Sequence, residues 1–231
     1  TLTITATNGV SIPRICAADS NSVILSYLIH QGTQFSSPRH IYMQKFDMSG
    51  EFIMSWGSFG NGHGQFYFPR GIAVDQADGT VYVVDMGNHR VQKFDTSTNV
   101  LPQLLTKWGG SSEAGHASSP LAQEAGQLRS PWGIAVDGQG DVYVTDTGNH
   151  RVEKFDREGN FIAQWGGFGG GDGQFNFPYG IVVDSRGSVF AVDSGNTRVQ
   201  QFMPADEGSE RLQEEADAAA ELGQVDKTTR V

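Results

Sequence analysis

The sequence predicts an all-β fold, a β-propeller of four-stranded antiparallel blades, on three observations. A segment of about 45 residues recurs along the chain. Each copy breaks into short runs rich in β-branched and aromatic residues. The runs are separated by turns built on Gly, Asp and Asn, which supply the positive-φ positions that tight turns require.

The first run of each copy reads Gly-Ile-Ala-Val-Asp at 71–75 and 133–137, and Gly-Ile-Val-Val-Asp at 180–184. A polar turn holding Gly79, Gly140 or Gly187 follows. The second runs, 81–85, 142–146 and 189–193, are apolar and end in Asp85, Asp146 and Asp193. The next turn reads Gly-Asn-His at 87–89 and 148–150, and Gly-Asn-Thr at 195–197. The third runs open on Arg90, Arg151 and Arg198 and close on Phe94, Phe155 and Phe202. A fourth run ends in Trp-Gly at 52–57, 104–109 and 161–166. Four antiparallel strands per repeat is the pattern of propeller blades. One blade cannot bury both of its faces alone, so neighbours must stack.

Asp137 and Asp184 are 47 residues apart and Asp75 and Asp137 are 62 apart, which is one geometry with insertions. The largest insertion, 111–127, is polar and rich in Ala and Gly, and belongs on a surface loop. A weaker fourth unit precedes these three: Pro13-Arg14-Ile15-Cys16-Ala17-Ala18-Asp19 matches the spacing of Pro69 to Asp75. Its second and third strands are expected at 23–28 and 41–46, with 29–40 as an insertion. Residues 2–6 alternate and are expected to pair with the last unit, which otherwise has three strands. The blades are therefore expected at about 10–57, 69–109, 131–166 and 178–202, within a propeller spanning 1–203. Residues 204–231 form an acidic tail with a helical stretch over 209–223, whose mostly Ala apolar face is too thin to dock firmly.

The chain has a net charge of −10, and the tail alone holds eight acidic and three basic side chains. With no basic cluster elsewhere, nucleic acid is not the expected partner. No stretch reaches the roughly 18 apolar residues of a membrane-spanning helix. The chain begins at Thr1 rather than Met, so either something has been removed or these residues are an excerpt. The lone Cys16 excludes an internal disulfide, leaves the compartment open and reads as a small buried side chain.

The pattern Gly-x-Phe-x-x-Pro-x-Gly-Ile-Ala-Val-Asp, followed by Val-Tyr-Val-x-Asp-x-Gly-Asn-His-Arg-Val-x-Lys-Phe-Asp, resembles NHL repeats. The resemblance covers about 46–202 strongly and 10–46 weakly. It implies a propeller, most often six-bladed in that family, so four units suggest a partial or unusually small ring. Self-association is expected if the ring is incomplete. Relatives that resemble ubiquitin ligases or RNA regulators add modules needing Cys pairs, which these residues do not contain.

Alternation of loops in an antiparallel meander brings the Pro-x-Gly links and the Asp-x-Gly-Asn turns to one face. The residue between Pro and Gly varies: Arg70, Trp132 and Tyr179, with Arg14 in the weak unit. Arg, Trp and Tyr offer area and donors at low entropic cost, so these four, with His89 and His150 of the turns, are the expected partner-binding residues. Asp75, Asp137 and Asp184, and likewise Asp85, Asp146 and Asp193, are expected to cap the turns that follow them. Arg90, Arg151 and Arg198 are expected to tie strands or blades together, and Trp56, Trp108 and Trp165 to pack between blades. The Gly-rich links at 57–64 and 166–173 lack the Lys-Ser/Thr of a phosphate loop.

The expected function is a non-catalytic scaffold for protein or peptide partners, with no catalytic residue, cofactor or metal assigned. The alternative rests on the resemblance: some similar propellers are lyases or lactone hydrolases with a metal in the channel, held by His in the peptide-amidating lyases. Converging imidazoles would be needed. Here the slots between Pro and Gly hold Arg, Trp and Tyr instead, and no Gly-x-Ser-x-Gly elbow is present.

Overall fold

The computed structural model describes residues 11–18, 22–29, 40–98, 101–110 and 124–204. These fold into four antiparallel sheets, each a meander of consecutive strands. Blade 1 contains β1 (Ser11–Ala18), β2 (Ser22–Ile29), β3 (His40–Asp47) and β4 (Phe52–Trp56). Blade 2 contains β5 (Pro69–Val74), β6 (Val81–Asp85), β7 (Arg90–Asp95) and β8 (Gln103–Trp108). Blade 3 contains β9 (Ile134–Val136), β10 (Val142–Asp146), β11 (Arg151–Phe155) and β12 (Phe161–Gly166). Blade 4 has three described strands, β13 (Pro178–Val183), β14 (Val189–Asp193) and β15 (Arg198–Phe202). The weakly matching first unit thus makes a full four-stranded blade. The strand expected at 2–6, the helix expected over 209–223, most of the insertion at 111–127 and the Cys16 side chain lie outside the described residues.

The inner strands β1, β5, β9 and β13 lie side by side in that order. Between blades 1 and 2, Ile24, Met43, Met54 and Trp56 bury against Phe66, Ile72, Val81, Val83 and Phe94. Between blades 2 and 3, Ala73, Tyr82, Val84 and Val91 bury against Leu128, Ile134, Val142, Val144 and Phe155, with Trp108 packed against them. Strand alternation makes this possible: Ile72, Val81 and Val83 face back toward blade 1 while Ala73, Tyr82 and Val84 face forward to blade 3. Blade 2 is therefore half of two cores, and burial of both its faces holds it between blades 1 and 3.

Two glycines mark how closely the inner strands approach. A Cβ on Gly71 would lie 2.7 Å from the Trp132 carbonyl oxygen, and one on Gly133 would strike the Tyr179 carbonyl oxygen. The Gly71 N–H donates to the Trp132 carbonyl across the blade boundary at 2.8 Å. Any side chain at these two positions would push the blades apart.

Candidate functional site

The link into each of blades 2, 3 and 4 arrives at its proline through a left-handed residue, Phe68 (φ 50°), Ser130 (φ 45°) or Phe177 (φ 50°). Past the proline, β5 and β13 shift register against their neighbours, between Pro69 and Ile72 and between Pro178 and Ile181. The residue between Pro and Gly sits inside this irregularity, released from the strand ladder. Because the three inner strands are neighbours, the three slots form a row.

In that row the side chains stack. The Arg70 guanidinium carbon lies 4.2 Å from the centre of the Trp132 ring. Trp132 and Tyr179 stack with ring centres 4.4 Å apart and planes 26° from parallel. The result is a continuous Arg–Trp–Tyr column across three blades, each member partly exposed. Such contacts are worth about 0.5–1.5 kcal/mol per aromatic pair and about 0.5–2 kcal/mol for the cation over the ring, enough to preorganise the column. Arg14 is in β1 at the corresponding place, and its side chain lies outside the described residues.

Two residues that the sequence reading passed over hold this column. The Thr145 hydroxyl accepts from the Gly133 N–H (2.7 Å) and donates to the Tyr179 carbonyl oxygen (2.8 Å). The Thr147 hydroxyl donates to the Pro178 carbonyl oxygen at 2.5 Å. Both are buried, and blade 2 carries Val84 and Met86 at these places. A switch from apolar to hydroxyl between repeats was the available signal.

The Asp-x-Gly-Asn turns come to the same face as the links. Gly87, Gly148 and Gly195 donate their N–H groups to the carbonyls of Tyr67, Arg129 and Asn176 at 2.7–2.8 Å. The turns are single 3₁₀ turns closed by left-handed His89, His150 and Thr197. His89 and His150 each connect two blades. The His89 Nδ1 accepts from the Ser130 N–H (2.9 Å), and the His150 Nδ1 accepts from the Phe177 N–H (3.1 Å). An imidazole that accepts at Nδ1 is neutral and carries its proton on Nε2. Burial, reinforced by the Arg129 charge, lowers the pKa of both rings and keeps them in that form. His150 also packs edge-on against Phe168 and beside Phe177.

The aspartates divide into two groups. Asp75, Asp137 and Asp184 cap their turns as expected, accepting from the N–H groups of Ala77, Gln139 and Arg186 at 2.9 Å. Asp85, Asp146 and Asp193 do not cap the turns they open. Instead one oxygen accepts from a linker N–H (Tyr67, Arg129 or Asn176), and the other accepts from the Asn and Arg of its own turn. The reason is reach: these carboxylates point at the link segment, whose N–H groups at Tyr67, Arg129 and Asn176 have no strand partner. Arg90, Arg151 and Arg198 continue the clamp by donating to the link carbonyls of Gln65, Gln127 and Gln174.

Asp85, Asp146 and Asp193 are fully buried. Burial raises the Asp85 pKa and pushes Asp146 up to about 6, whereas Asp193 is lowered by the Asn176 N–H, the Asn196 amide and Arg198. Among the described residues, no three His, Cys, Asp or Glu side chains gather closely enough to hold a metal ion. The donor set that a channel metal would need does not match this face, where the slots hold Arg, Trp and Tyr and each His spends Nδ1 on a backbone N–H.

The NHL repeat family matches residues 66–94, 128–155 and 175–202, which are blades 2, 3 and 4. The chain is 34% identical over 104 residues to a probable peptidyl-alpha-hydroxyglycine alpha-amidating lyase, pgal-1, of Caenorhabditis elegans, covering 45% of this chain and 27% of that protein. It is 32% identical over 108 residues to the peptidylglycine alpha-amidating monooxygenase of Rattus norvegicus, covering 46% of this chain and 10% of that one. A shorter match, 56% over 39 residues, is to the B-box type zinc finger protein ncl-1 of C. elegans, covering 17% of this chain and 5% of that protein. The chain thus spans about a quarter or less of the length of these relatives. Among solved structures, virginiamycin B lyase of Staphylococcus aureus superposes with a TM-score of 0.54 at 12% identity, over 88% of this chain and 59% of that one. That likeness concerns the fold alone. The three matched segments are thus NHL repeats, folded as successive blades of a β-propeller.

Proposed function

We propose that the chain is a non-catalytic recognition scaffold that binds a protein or peptide through the face where its Pro-x-Gly links and Asp-x-Gly-Asn turns meet. The observation that supports this most is the Arg70–Trp132–Tyr179 column. The repeat keeps Pro and Gly at each slot and varies only the residue between them. Flat rings and a guanidinium held in line offer stacking and edge contacts to an extended peptide, with a positive charge at one end for a carboxylate. Preorganisation by stacking and by the Thr145 hydroxyl reduces the ordering cost on binding. His89 and His150 border the face, where they hold Ser130 and Phe177 in place and leave Nε2 to a partner.

The test is a double variant, Trp132→Ala with Tyr179→Ala, assayed against a peptide selected for binding from a displayed library. Loss of an anchoring aromatic costs about 2 kcal/mol, or roughly thirtyfold in Kd. Unchanged binding by the folded variant would refute the face. The second reading, a metal-dependent lyase or lactone hydrolase, draws on the identity to the amidating enzymes. Metal analysis of the purified chain separates the two: a stoichiometric ion that survives dialysis would favour the enzyme.

A further inference from the structure

The repeat varies at a second position on the same face, two residues before each link proline. Tyr67, Arg129 and Asn176 stand there. The backbone of each is pinned at both ends: its N–H donates to the buried aspartate of the blade, and its carbonyl accepts from the turn glycine. Each side chain crosses that glycine, since a Cβ on Gly87, Gly148 or Gly195 would lie 2.5–2.8 Å from a side-chain carbon of Tyr67, Arg129 or Asn176. A backbone held this firmly leaves the side chain free to vary, as at the slot between Pro and Gly.

Blade 3 places a cation at this position. Arg129 is exposed and, among the described residues, its guanidinium has no hydrogen-bond or ion-pair partner. It lies between two imidazoles. His89 holds the N–H of the next residue, Ser130, and the Arg129 side chain crosses Gly148, two residues before His150. Its charge acts on both rings, lowering the pKa of each alongside burial. With Nδ1 occupied by a backbone N–H, each neutral ring has an Nε2–H to donate, and neither has an acceptor for it among the described residues. The link's own acid, Glu124, is engaged by the Gln127 amide at 3.1 Å, and Asp146 by Asn149 and Arg151.

We infer that His89, Arg129 and His150 form an anion subsite that takes a carboxylate of the bound peptide, beside the aromatic column. The subsite rests on the peptide-binding reading of that face and names the partner's chemistry. One full charge with two neutral donors matches a single negative charge, and a guanidinium presents paired N–H groups to a carboxylate. The reach sets the spacing. Arg129 precedes Trp132 by three residues, at most about 11 Å of chain. The carboxylate therefore belongs within about three residues of the peptide side chain that stacks on Trp132. The net charge of −10 works against such a partner at a distance. Screening within about 10 Å at 0.1 M salt leaves the outcome to the local donors.

Isothermal titration calorimetry tests this on the full 231-residue chain, with a peptide selected from a displayed library. Selected peptides are expected to carry Asp, Glu or a terminal carboxylate within about three residues of an aromatic one. Binders without such a group overturn the inference. The parent peptide is compared with two amides, one at its acidic side chain and one at its C-terminus, which tells the two sources of carboxylate apart. One of the two is expected to bind roughly tenfold more weakly. Arg129→Gln, with unchanged circular dichroism, is expected to cost the parent peptide the same roughly tenfold and that amide no more than about twofold. An Arg129→Gln variant that binds like wild type, or that weakens every peptide equally, overturns the inference. A phosphoserine version that binds roughly tenfold more tightly than the parent overturns the match to a single charge. Trp132→Ala with Tyr179→Ala separates the two readings. If that variant loses binding and Arg129→Gln does not, the face stands and the anion subsite falls. If it binds unchanged, or if the library yields no binder, the face itself is refuted.

Discussion

Glu153 should destabilise this fold at neutral pH, and replacing it with Gln should correct the defect. In blades 2 and 4 the same place holds Gln92 and Gln200. Each amide donates to a link carbonyl, Gln65 at 2.8 Å or Gln174 at 2.7 Å, and to the buried aspartate of its blade at 3.2 Å. Each amide oxygen accepts from Gly64 or Gly173 at 3.0 Å. Glu153 is fully buried beside Asp146, and as a carboxylate it has no proton to donate to either acceptor. Its compensation is Arg151, whose Nη2 lies 2.5 Å from one carboxylate oxygen but whose Nε is already engaged by Asp146. Burial, helped by the Asp146 charge, pushes the Glu153 pKa up to about 8.

The sign follows from linkage. A carboxyl whose pKa is higher folded than unfolded makes the fold lose stability as pH rises from the unfolded value of 4.5 toward 8. At about 1.4 kcal/mol per pH unit, the loss reaches about 3 kcal/mol at pH 7 and is under about 1 kcal/mol at pH 5. Glu153→Gln, nearly isosteric with the protonated acid, should therefore gain about 3 kcal/mol at pH 7 and little at pH 5. Urea denaturation at the two pH values, followed by tryptophan fluorescence, reads this as a midpoint shift of roughly 1 M or more at pH 7. Equal shifts at both pH values, or a variant less stable than wild type at pH 7, would refute the argument.

Three further outcomes follow from the interblade contacts. Thr145→Val removes the acceptor for the Gly133 N–H and the donor to the Tyr179 carbonyl, and should cost about 1–3 kcal/mol in urea denaturation while leaving the fold intact. Gly71→Ala places a methyl 2.7 Å from the Trp132 carbonyl and should lower the thermal midpoint by several degrees, whereas Gly138→Ala, in an open turn, should not. His89 and His150 have lowered pKa values, so their contribution is present above pH 6.5 and is lost as pH falls below it. Histidine nuclear magnetic resonance titration should show both rings titrating below the free-imidazole value, with the neutral form protonated on Nε2, and His150→Ala should flatten the acid limb of the stability profile.

Much of the fold is legible in the sequence because one geometry is written several times. The period, the four runs, the turn glycines and the three-stranded last unit follow from comparing the copies, and even the diverged first unit folds as a blade. The slot between Pro and Gly is legible for the same reason. What the sequence conceals is contact between segments distant along the chain. Asp85, Asp146 and Asp193 read as turn caps from their local setting, but the groups that need them lie 17 or 18 residues earlier, in the links. His89 reads as a partner-binding residue of a turn, and the backbone it holds, at Ser130, lies 41 positions away. The aspartate pairings join the two ends of one copy and the His89 pairing joins neighbouring blades, so the local turn motif announces neither.

The departures between copies are therefore the more informative signal, and they gather in blade 3. Trp132 stands between Arg70 and Tyr179 and stacks on both. Thr145 replaces Val84 and Val192 of the neighbouring blades, Thr147 stands where blade 2 has Met86 and blade 4 has Ser194, and the two bind the backbone of the next slot at Tyr179 and Pro178. Glu153 replaces the Gln of its neighbours next to Asp146 and Arg151. The inserted segment ends at the same place, with Glu124 and Gln127 offering their carbonyls to Arg151. A blade serving only as a spacer would have no reason to carry a buried acid with an unfavourable protonation state. These departures cluster around one slot, so under the proposed reading blade 3 is where mutagenesis of this face should begin.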